Sequence, residues 1–122
     1  MIYKQTKLKI VDNSGAKLLK VFHILKYSSS QNYSQSGELV LGSIVKYKVN
    51  KKVNKKQLRK ALVITSKKNI FRKNGVFIKF DENRGVLIEN NKLLGTRIFG
   101  PISKEVRRGV YSRLLSVTKK LI

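Results

Sequence analysis

The sequence predicts a mainly β fold, a small barrel or sandwich that is followed by short helices. Three observations support this prediction. Before the single proline, Pro101, apolar and polar residues alternate at period two, turn-forming residues separate these segments, and beyond Pro101 the apolar spacing lengthens to that of a helix. The chain holds about six strand-like segments in roughly 90 residues, which is the spacing of small barrels and sandwiches.

The predicted strands are of two kinds. Residues 7–10 and 45–49 alternate, as expected for a strand with one buried face. A third alternating segment has four residues on one predicted face: Leu19, Val21, His23 and Leu25. The other kind is a short apolar run rich in β-branched residues, and it occurs at residues 61–65, 76–80 and 86–89.

The turns between these segments carry residues that adopt a positive φ at low cost. Asp12-Asn13-Ser14-Gly15 follows the first strand, and Asn74-Gly75 lies between two strand-like runs. An Asn-Gly pair in that setting is a strong signal for a β-hairpin. Residues 28–37 are polar and uncharged, and we interpret them as a loop.

Beyond Pro101 the apolar residues recur at helical spacing: Val106, Val110, Leu114, Val117 and Leu121. Ser103 is a plausible N-cap. Because Gly109 interrupts the apolar stripe, we expect two short helices packed on the barrel. The whole chain, residues 1–122, is predicted to be one domain, with the barrel in residues 1–100 and the helical segment in residues 101–122.

The charge of the chain indicates its kind of partner. The chain has 28 Lys and Arg against 6 Asp and Glu, a formal net charge of +22. A compact domain sustains such a charge when a polyanion covers it, so nucleic acid is the expected partner.

Composition argues against most enzymes. There is no Cys, and His23 is the single imidazole. Among the six acidic residues one pair is adjacent, and neighbours in an extended stretch point to opposite faces. We therefore predict no catalytic residue, no metal site and no cofactor. No apolar run approaches the ~20 residues that cross a bilayer, and the N-terminus lacks the apolar core of a signal peptide, so no membrane partner is expected.

The positive charge falls in three clusters. The first is Lys46, Lys48, Lys51, Lys52, Lys55, Lys56, Arg59 and Lys60, the second is Lys67, Lys68, Arg72 and Lys73, and the third is Lys104, Arg107, Arg108 and Arg113. Residues 51–56 predict the tip of a protruding hairpin that lies against phosphates. One such cluster could be a solvated face, whereas three on a small domain indicate binding.

The aromatic residues bear on the kind of nucleic acid. A single-strand binder exposes aromatic rings on which bases stack, but Phe22, Tyr47, Phe77 and Phe80 lie in strands among apolar neighbours and are predicted to be core. The favoured partner is therefore the backbone of a folded RNA. The alternative is a free OB-like single-stranded RNA-binding protein or RNA chaperone, and an enzyme that uses His23 ranks third.

Several motifs together resemble one family. They are Asp12-Asn13-Ser14-Gly15-Ala16, Asn74-Gly75 with Phe80-Asp81 and Asn83, Gly95-Thr96-Arg97-Ile98-Phe99-Gly100-Pro101, and Glu105-Val106-Arg107. In this order, over essentially the whole chain, they closely resemble the large-subunit ribosomal protein L-fourteen family.

The resemblance implies a five-stranded β-barrel with a basic hairpin and short C-terminal α-helices. It also implies a non-catalytic protein that binds large-subunit rRNA, lies beside ribosomal proteins L-nineteen and L-three and joins an intersubunit bridge to small-subunit rRNA. Seven residues match the family's rRNA-facing loops: Lys51, Lys52, Lys55, Lys56, Lys67, Lys68 and Arg72. With the other members of the first two basic clusters they form the predicted rRNA-binding set. The predicted face for the intersubunit bridge comprises Thr96, Arg97, Arg107, Arg108 and Arg113. This face also resembles the family's docking surface for a ribosomal silencing factor.

The residues of the GTRIFGP motif also have a physical interpretation. Gly95, Gly100 and Pro101 constrain a turn, and Ile98 and Phe99 are expected to bury part of it. Arg97 would then be held on a stiff support, ready for a phosphate or a carboxylate. The alternative is a structural role for Thr96 and Arg97, through a hydrogen bond within the turn and an intramolecular ion pair with Glu105.

Residue usage suggests a compartment. Lys far outnumbers Arg, and Asn and Ile are frequent, as in proteins from A/T-rich genomes. With no recognisable presequence, this usage favours an organelle-encoded protein of a mitochondrial ribosome, with a plastid ribosome or bacterial cytoplasm as alternatives.

Overall fold

The computed structural model of the chain describes residues 2–25, 33–49, 58–90, 92–108 and 122. Within these residues the strands are β1 (Ile2–Tyr3), β2 (Lys7–Ile10), β3 (Ala16–Leu25), β4 (Tyr33–Ser34), β5 (Leu39–Tyr47), β6 (Leu58–Thr65), β7 (Ile70–Phe71), β8 (Phe77–Ile78), β9 (Arg84–Glu89) and β10 (Lys92–Leu93). A 3-10 helix covers Lys104–Arg108.

Five of these strands close into a barrel. Strands β2, β3, β5, β6 and β9 pair antiparallel in that order, and β9 pairs parallel with β2 to close the ring. Closure satisfies the backbone groups that an open sheet leaves at its edges. The predicted mainly β fold and the five-stranded barrel are confirmed. Two small pairs, β1 with β4 and β7 with β8, stand outside the ring.

Strand β6 is buried on both faces, which explains its continuous apolar run. Ala61 and Val63 point into the barrel core together with Leu19 and Val21. Leu62 and Ile64 point outward into a second apolar layer, which the segment after Pro101 completes with its own side chains, Ile102 and Val106. Because both faces are covered, the alternation of a half-buried strand is absent here.

Bulges shift the inward face along the two longest strands. The pairing register of β3 with β5 shifts between Val21 and His23. Val21 is fully buried, His23 is exposed, and Ile24 packs against the barrel core. The prediction that His23 and Leu25 share the face of Leu19 is therefore wrong, since one extra residue reverses the alternation.

The aromatic side chains differ from the prediction in part. Tyr47 packs against the barrel core and Phe80 is half-buried. The interior positions predicted for Phe22 and Phe77 are wrong, because these side chains are 42% and 58% exposed. Phe22 lies at the bulge of β3, and Phe77 lies on the β7–β8 pair outside the barrel.

The turn signals are confirmed. Strands β7 and β8 form the hairpin predicted from Asn74-Gly75, with Gly75 at φ 82°. Gly15 has φ 105°, as expected after Asp12 and Asn13. Ser103 directly precedes the helix, and its Oγ lies 3.5 Å from the Glu105 backbone nitrogen that donates to it. Three features predicted from the sequence lie outside the described residues: the hairpin tip with Lys51, Lys52, Lys55 and Lys56, the apolar stripe beyond Val106, and Arg113.

Candidate nucleic-acid interface

The lysines and arginines of the predicted rRNA-binding set have different environments. Six lysines in the described part of that set are exposed: Lys46, Lys48, Lys60, Lys67, Lys68 and Lys73. Within the described residues none of the six makes an ion pair, although the ammonium group of Lys68 lies 5.3 Å from the centroid of the Tyr33 ring. These side chains leave their charge available to a polyanion.

The two arginines of the set, in contrast, are held inside the fold. Arg59 Nη1 lies 2.8 Å from Glu89 Oε1, and the Arg59 side chain is only 15% exposed. Arg72 Nε lies 3.1 Å from Glu105 Oε1, and its Nη2 donates to the backbone oxygen of Ile122 at 2.9 Å. Arg72 thereby ties the β7–β8 hairpin to the C-terminal segment, a role that sequence reasoning missed because Glu105 is 33 positions away.

The carboxylate of Glu105 is stabilised in its charged form. Burial by itself raises the pKa of Glu105, but hydrogen bonds from the Ser103 hydroxyl and the Arg72 guanidinium outweigh burial and hold the pKa below its ordinary value of 4.5. A carboxyl whose pKa is lowered by folding contributes stability above that ordinary value, and the contribution is lost as the pH falls through the lowered pKa.

Arg84 is the third arginine with an acidic partner in the described residues, and it lines an open cleft. Glu82 Oε2 lies 3.3 Å from Lys9 Nζ and 3.1 Å from Arg84 Nε. The hydrogen bonds from Lys9 and then Arg84 lower the pKa of Glu82. Around this ion pair is a cleft of about 420 Å³ that Phe80 and Pro101 also line.

Two sequence motifs far apart in the chain meet at one turn. Asn13 Oδ1 accepts hydrogen bonds from the backbone N–H groups of Thr96 and Arg97, at 2.7 and 3.1 Å, and Asn13 Nδ2 donates to Thr96 Oγ1 at 2.8 Å. A Cβ added to Gly95 would lie 2.7 Å from Asn13 Oδ1, so the close approach requires glycine there. The Asp12-Asn13 segment therefore shapes the turn that carries Thr96 and Arg97.

Glycine is also needed at the end of that turn. Gly100 has φ 87°, and a Cβ at this position would collide with the Arg84 guanidinium. Ile98 is buried as expected, but the expected burial of Phe99 is wrong, since its side chain is 54% exposed. Phe99 instead joins the turn through its backbone, whose N–H donates to the Val11 oxygen at 2.8 Å.

Arg97 is exposed on this shaped turn. Its alternative partner, Glu105, is bound to Arg72 and Ser103, so the considered ion pair between Arg97 and Glu105 is absent. In the described part of the chain the Arg97 guanidinium has no acidic partner. The side chains of Arg107 and Arg108 lie outside the described part of the chain, so their place on one face with Arg97 stays a prediction.

Metal-binding clusters and membrane-spanning helices are absent from the described residues. Among the described residues no three His, Asp or Glu side chains lie close enough to hold a metal ion. None of the described helices has the length and apolar character needed to cross a bilayer.

Comparisons with known proteins agree with the motifs. The model of the family described as Ribosomal protein L14p/L23e matches residues 1–122. The chain is also 38% identical over 122 residues to the Large ribosomal subunit protein uL14 of Petrotoga mobilis (strain DSM 10674 / SJ95), in an alignment that covers 99% of each protein.

Proposed function

The chain belongs to the Ribosomal protein L14p/L23e family, and we propose that it binds large-subunit rRNA through its exposed lysines. As a member, it is a structural, non-enzymatic protein of a bacterial-type large ribosomal subunit. Its ribosomal partners are rRNA and other ribosomal proteins, and the proposal concerns which side chains contact the RNA.

The observation that supports the proposal is how the few carboxylates are distributed. Glu89, Glu105 and Glu82 pair with Arg59, Arg72 and Arg84. Asp12 is buried and accepts hydrogen bonds from the backbone N–H groups of Ser14 and Leu87. Three of the six acidic residues therefore neutralise arginines, and no ion pair among the described residues involves the six exposed lysines of the predicted rRNA-binding set.

The RNA contacts proposed here are phosphate contacts made by the six exposed lysines. Lys51, Lys52, Lys55 and Lys56 are added to them on the family resemblance. Arg59 and Arg72 stay in the predicted rRNA-binding set, and their ion pairs with Glu89 and Glu105 also hold β6 and the β7–β8 hairpin in place. Each phosphate that a lysine neutralises releases a condensed counterion, so binding depends strongly on salt.

The test is the salt dependence of binding to protein-free large-subunit rRNA. Changing Lys67, Lys68 and Lys73 together to Gln should weaken binding and reduce the slope of log affinity against log salt by about two to three. A second triple variant, at Lys46, Lys48 and Lys60, should do the same. The matched control changes Lys7, Lys17 and Lys20, three exposed lysines of β2 and β3 outside the predicted clusters. Equal slopes for all of the variants and the unmodified chain would contradict the proposal.

The face that carries Thr96 and Arg97 is proposed to join an intersubunit bridge to small-subunit rRNA. Support comes from the turn backbone, which Asn13 holds in place, and from the Arg97 guanidinium, which has no acidic partner among the described residues. A preordered backbone reduces the entropy that is lost on binding. The resemblance adds Arg107, Arg108 and Arg113 to this face, with a ribosomal silencing factor as a competing partner and proteins L-nineteen and L-three as neighbours.

Arg97→Ala should weaken association of the large subunit with the small subunit, by about 1–3 kcal/mol if the guanidinium binds a phosphate. Light scattering of reassociating subunits at limiting Mg²⁺ measures this. Arg97→Lys retains the charge and should recover part of the loss. An alanine variant that associates as well as the unmodified chain would remove Arg97 from the bridge.

The compartment is a further part of the proposal. The Lys, Asn and Ile usage favours a mitochondrial ribosome, and the bacterial relative also allows a bacterial cytoplasm. Mass spectrometry of ribosomes from purified organelles would detect the chain in the large-subunit fraction, and its absence there would favour the bacterial alternative.

A further inference from the structure

The β7–β8 hairpin presents apolar side chains to solvent. Phe71 is 79% exposed, Phe77 58% and Val76 50%. The two phenyl rings contact each other, with centroids 5.7 Å apart and planes inclined by 52°. Rings in a structural role are normally buried, because each exposed Å² of apolar surface costs about 25 cal/mol relative to burial.

The hairpin that carries these rings is well anchored. Across its turn the Arg72 N–H donates to the Val76 oxygen at 2.9 Å, and the Gly75 N–H donates to the Arg72 oxygen at 3.1 Å. The Arg72 side chain binds Glu105 and the backbone of Ile122. The rings are therefore held outside the barrel on a support that the rest of the fold positions.

Positively charged residues lie close to the rings in the sequence. Lys67, Lys68, Lys73 and Lys79 are exposed on the same connection. Two acidic residues follow the hairpin in sequence: Asp81, which is exposed, and Glu82, which pairs with Lys9 and Arg84. An apolar protein partner would have to bury these ammonium groups without compensation, which costs several kcal/mol per unpaired charge. RNA satisfies both features, since phosphates neutralise lysines while bases stack on aromatic rings.

We propose that the β7–β8 hairpin stacks an unpaired base of rRNA on the Phe71 ring, with Phe77 supporting that ring from the side. This inference rests on the proposed rRNA binding and adds a base contact to the phosphate contacts. The exposed lysines hold the sugar-phosphate backbone on either side of the stacked nucleotide. The contact is tolerant of sequence, because every base has a π face.

The absence of Trp from the chain allows a direct test. Phe71→Trp introduces a single fluorescent reporter on the hairpin, and Phe22→Trp places the same reporter on β3 as the matched control. The probes are protein-free large-subunit rRNA, a decamer of adenylate and an abasic decamer of equal charge. Stacking should quench the emission of the Phe71→Trp variant by about half with the first two probes and little with the abasic decamer. The Phe22→Trp variant should change little with any of them.

Affinity provides a second measurement. Changing Phe71 and Phe77 together to Leu keeps the hairpin apolar and removes the stacking surface, and the variant is compared with the unmodified chain by circular dichroism and denaturation midpoint. Its affinity for the rRNA should fall about tenfold with an unchanged salt slope. The Lys67, Lys68 and Lys73 triple variant should show the opposite pattern, a reduced slope with the preference for adenylate over abasic decamer retained.

The outcomes separate the two proposals. Salt-dependent rRNA binding without quenching, or equal quenching by the abasic decamer, would overturn the stacking contact and leave the phosphate contacts standing. A blue shift of the emission with a protein fraction of the large subunit, and none with RNA, would likewise overturn it in favour of a protein partner. Failure of the unmodified chain to bind rRNA at low salt would overturn both proposals.

Discussion

Replacing Asp12 by alanine is expected to lower the free energy of unfolding by about 3 kcal/mol. The Asp12 carboxylate is buried and accepts hydrogen bonds from the Ser14 backbone N–H at 3.1 Å, from the Ser14 hydroxyl, and from the Leu87 N–H at 3.0 Å. The donor on Leu87 lies in a fully buried strand residue. Alanine leaves these donors without their acceptor at a position that is only 7% exposed, and an unpaired buried donor costs about 1–3 kcal/mol. Urea denaturation of the isolated protein measures the change.

Two variants show which bond matters. Ser14→Ala removes only the hydroxyl bond and should cost about 1 kcal/mol. Asp12→Asn keeps one acceptor oxygen, so it should fall between the alanine variant and the unmodified chain. Stability within 0.5 kcal/mol of the unmodified chain for Asp12→Ala, which is roughly the range of an unimportant surface change, would contradict this account of the turn.

Replacing Gly42 by alanine is the second change with a large expected effect, about 3 kcal/mol of destabilisation. Gly42 lies in β5 opposite Val21, and a Cβ there would lie 2.5 Å from the backbone oxygen of Lys20 and 2.8 Å from Leu19 Cγ. A backbone oxygen in a closed barrel has little freedom to move aside, because its own strand is paired on both edges. To accommodate the added methyl group, β3 and β5 must separate and the Leu19 side chain must shift in the core.

The matched control is Gly75→Ala in the β7–β8 hairpin. No atom lies within 4 Å of the Cβ that this change adds, and the positive φ of 82° is its main cost, about 1 kcal/mol. The two glycine variants, compared by denaturation, separate steric overlap from backbone conformation. Equal destabilisation by both would mean that the contact with Lys20 costs no more than the positive φ of Gly75, which would contradict the steric account of Gly42.

Much of the fold could be predicted from local sequence patterns. The alternation in β2 and the Asn74-Gly75 hairpin were predicted and are present. Which residues of β3 face the core beyond Val21 could not be predicted. A bulge arises from the pairing with β5 and not from the residues of β3 alone. The exposure of Phe22 and Phe77 could not be predicted either, because an apolar run in the sequence does not show whether another layer of the fold covers it.

The candidate interface was predictable in composition and less so in its individual contacts. The six exposed lysines belong to the first two basic clusters found in the sequence. Arg59 and Arg72 belong to the same clusters, yet carboxylates 30 and 33 positions away hold them within the fold. Nothing in the neighbouring residues distinguishes these arginines from the exposed lysines.

By itself the sequence determined the fold class, the places of the tight turns and the polyanionic character of the partner. These properties follow from backbone chemistry and from the sum of charges, which depend little on distant neighbours. The tertiary structure decided which cations of the described residues have acidic partners, which rings face solvent, and that Asn13 shapes the turn carrying Arg97 from 84 positions away. Each of these properties depends on which residues surround a given side chain in the folded protein. Closure of the barrel brings together segments that are remote in the chain, so the sequence near that side chain does not show its neighbours.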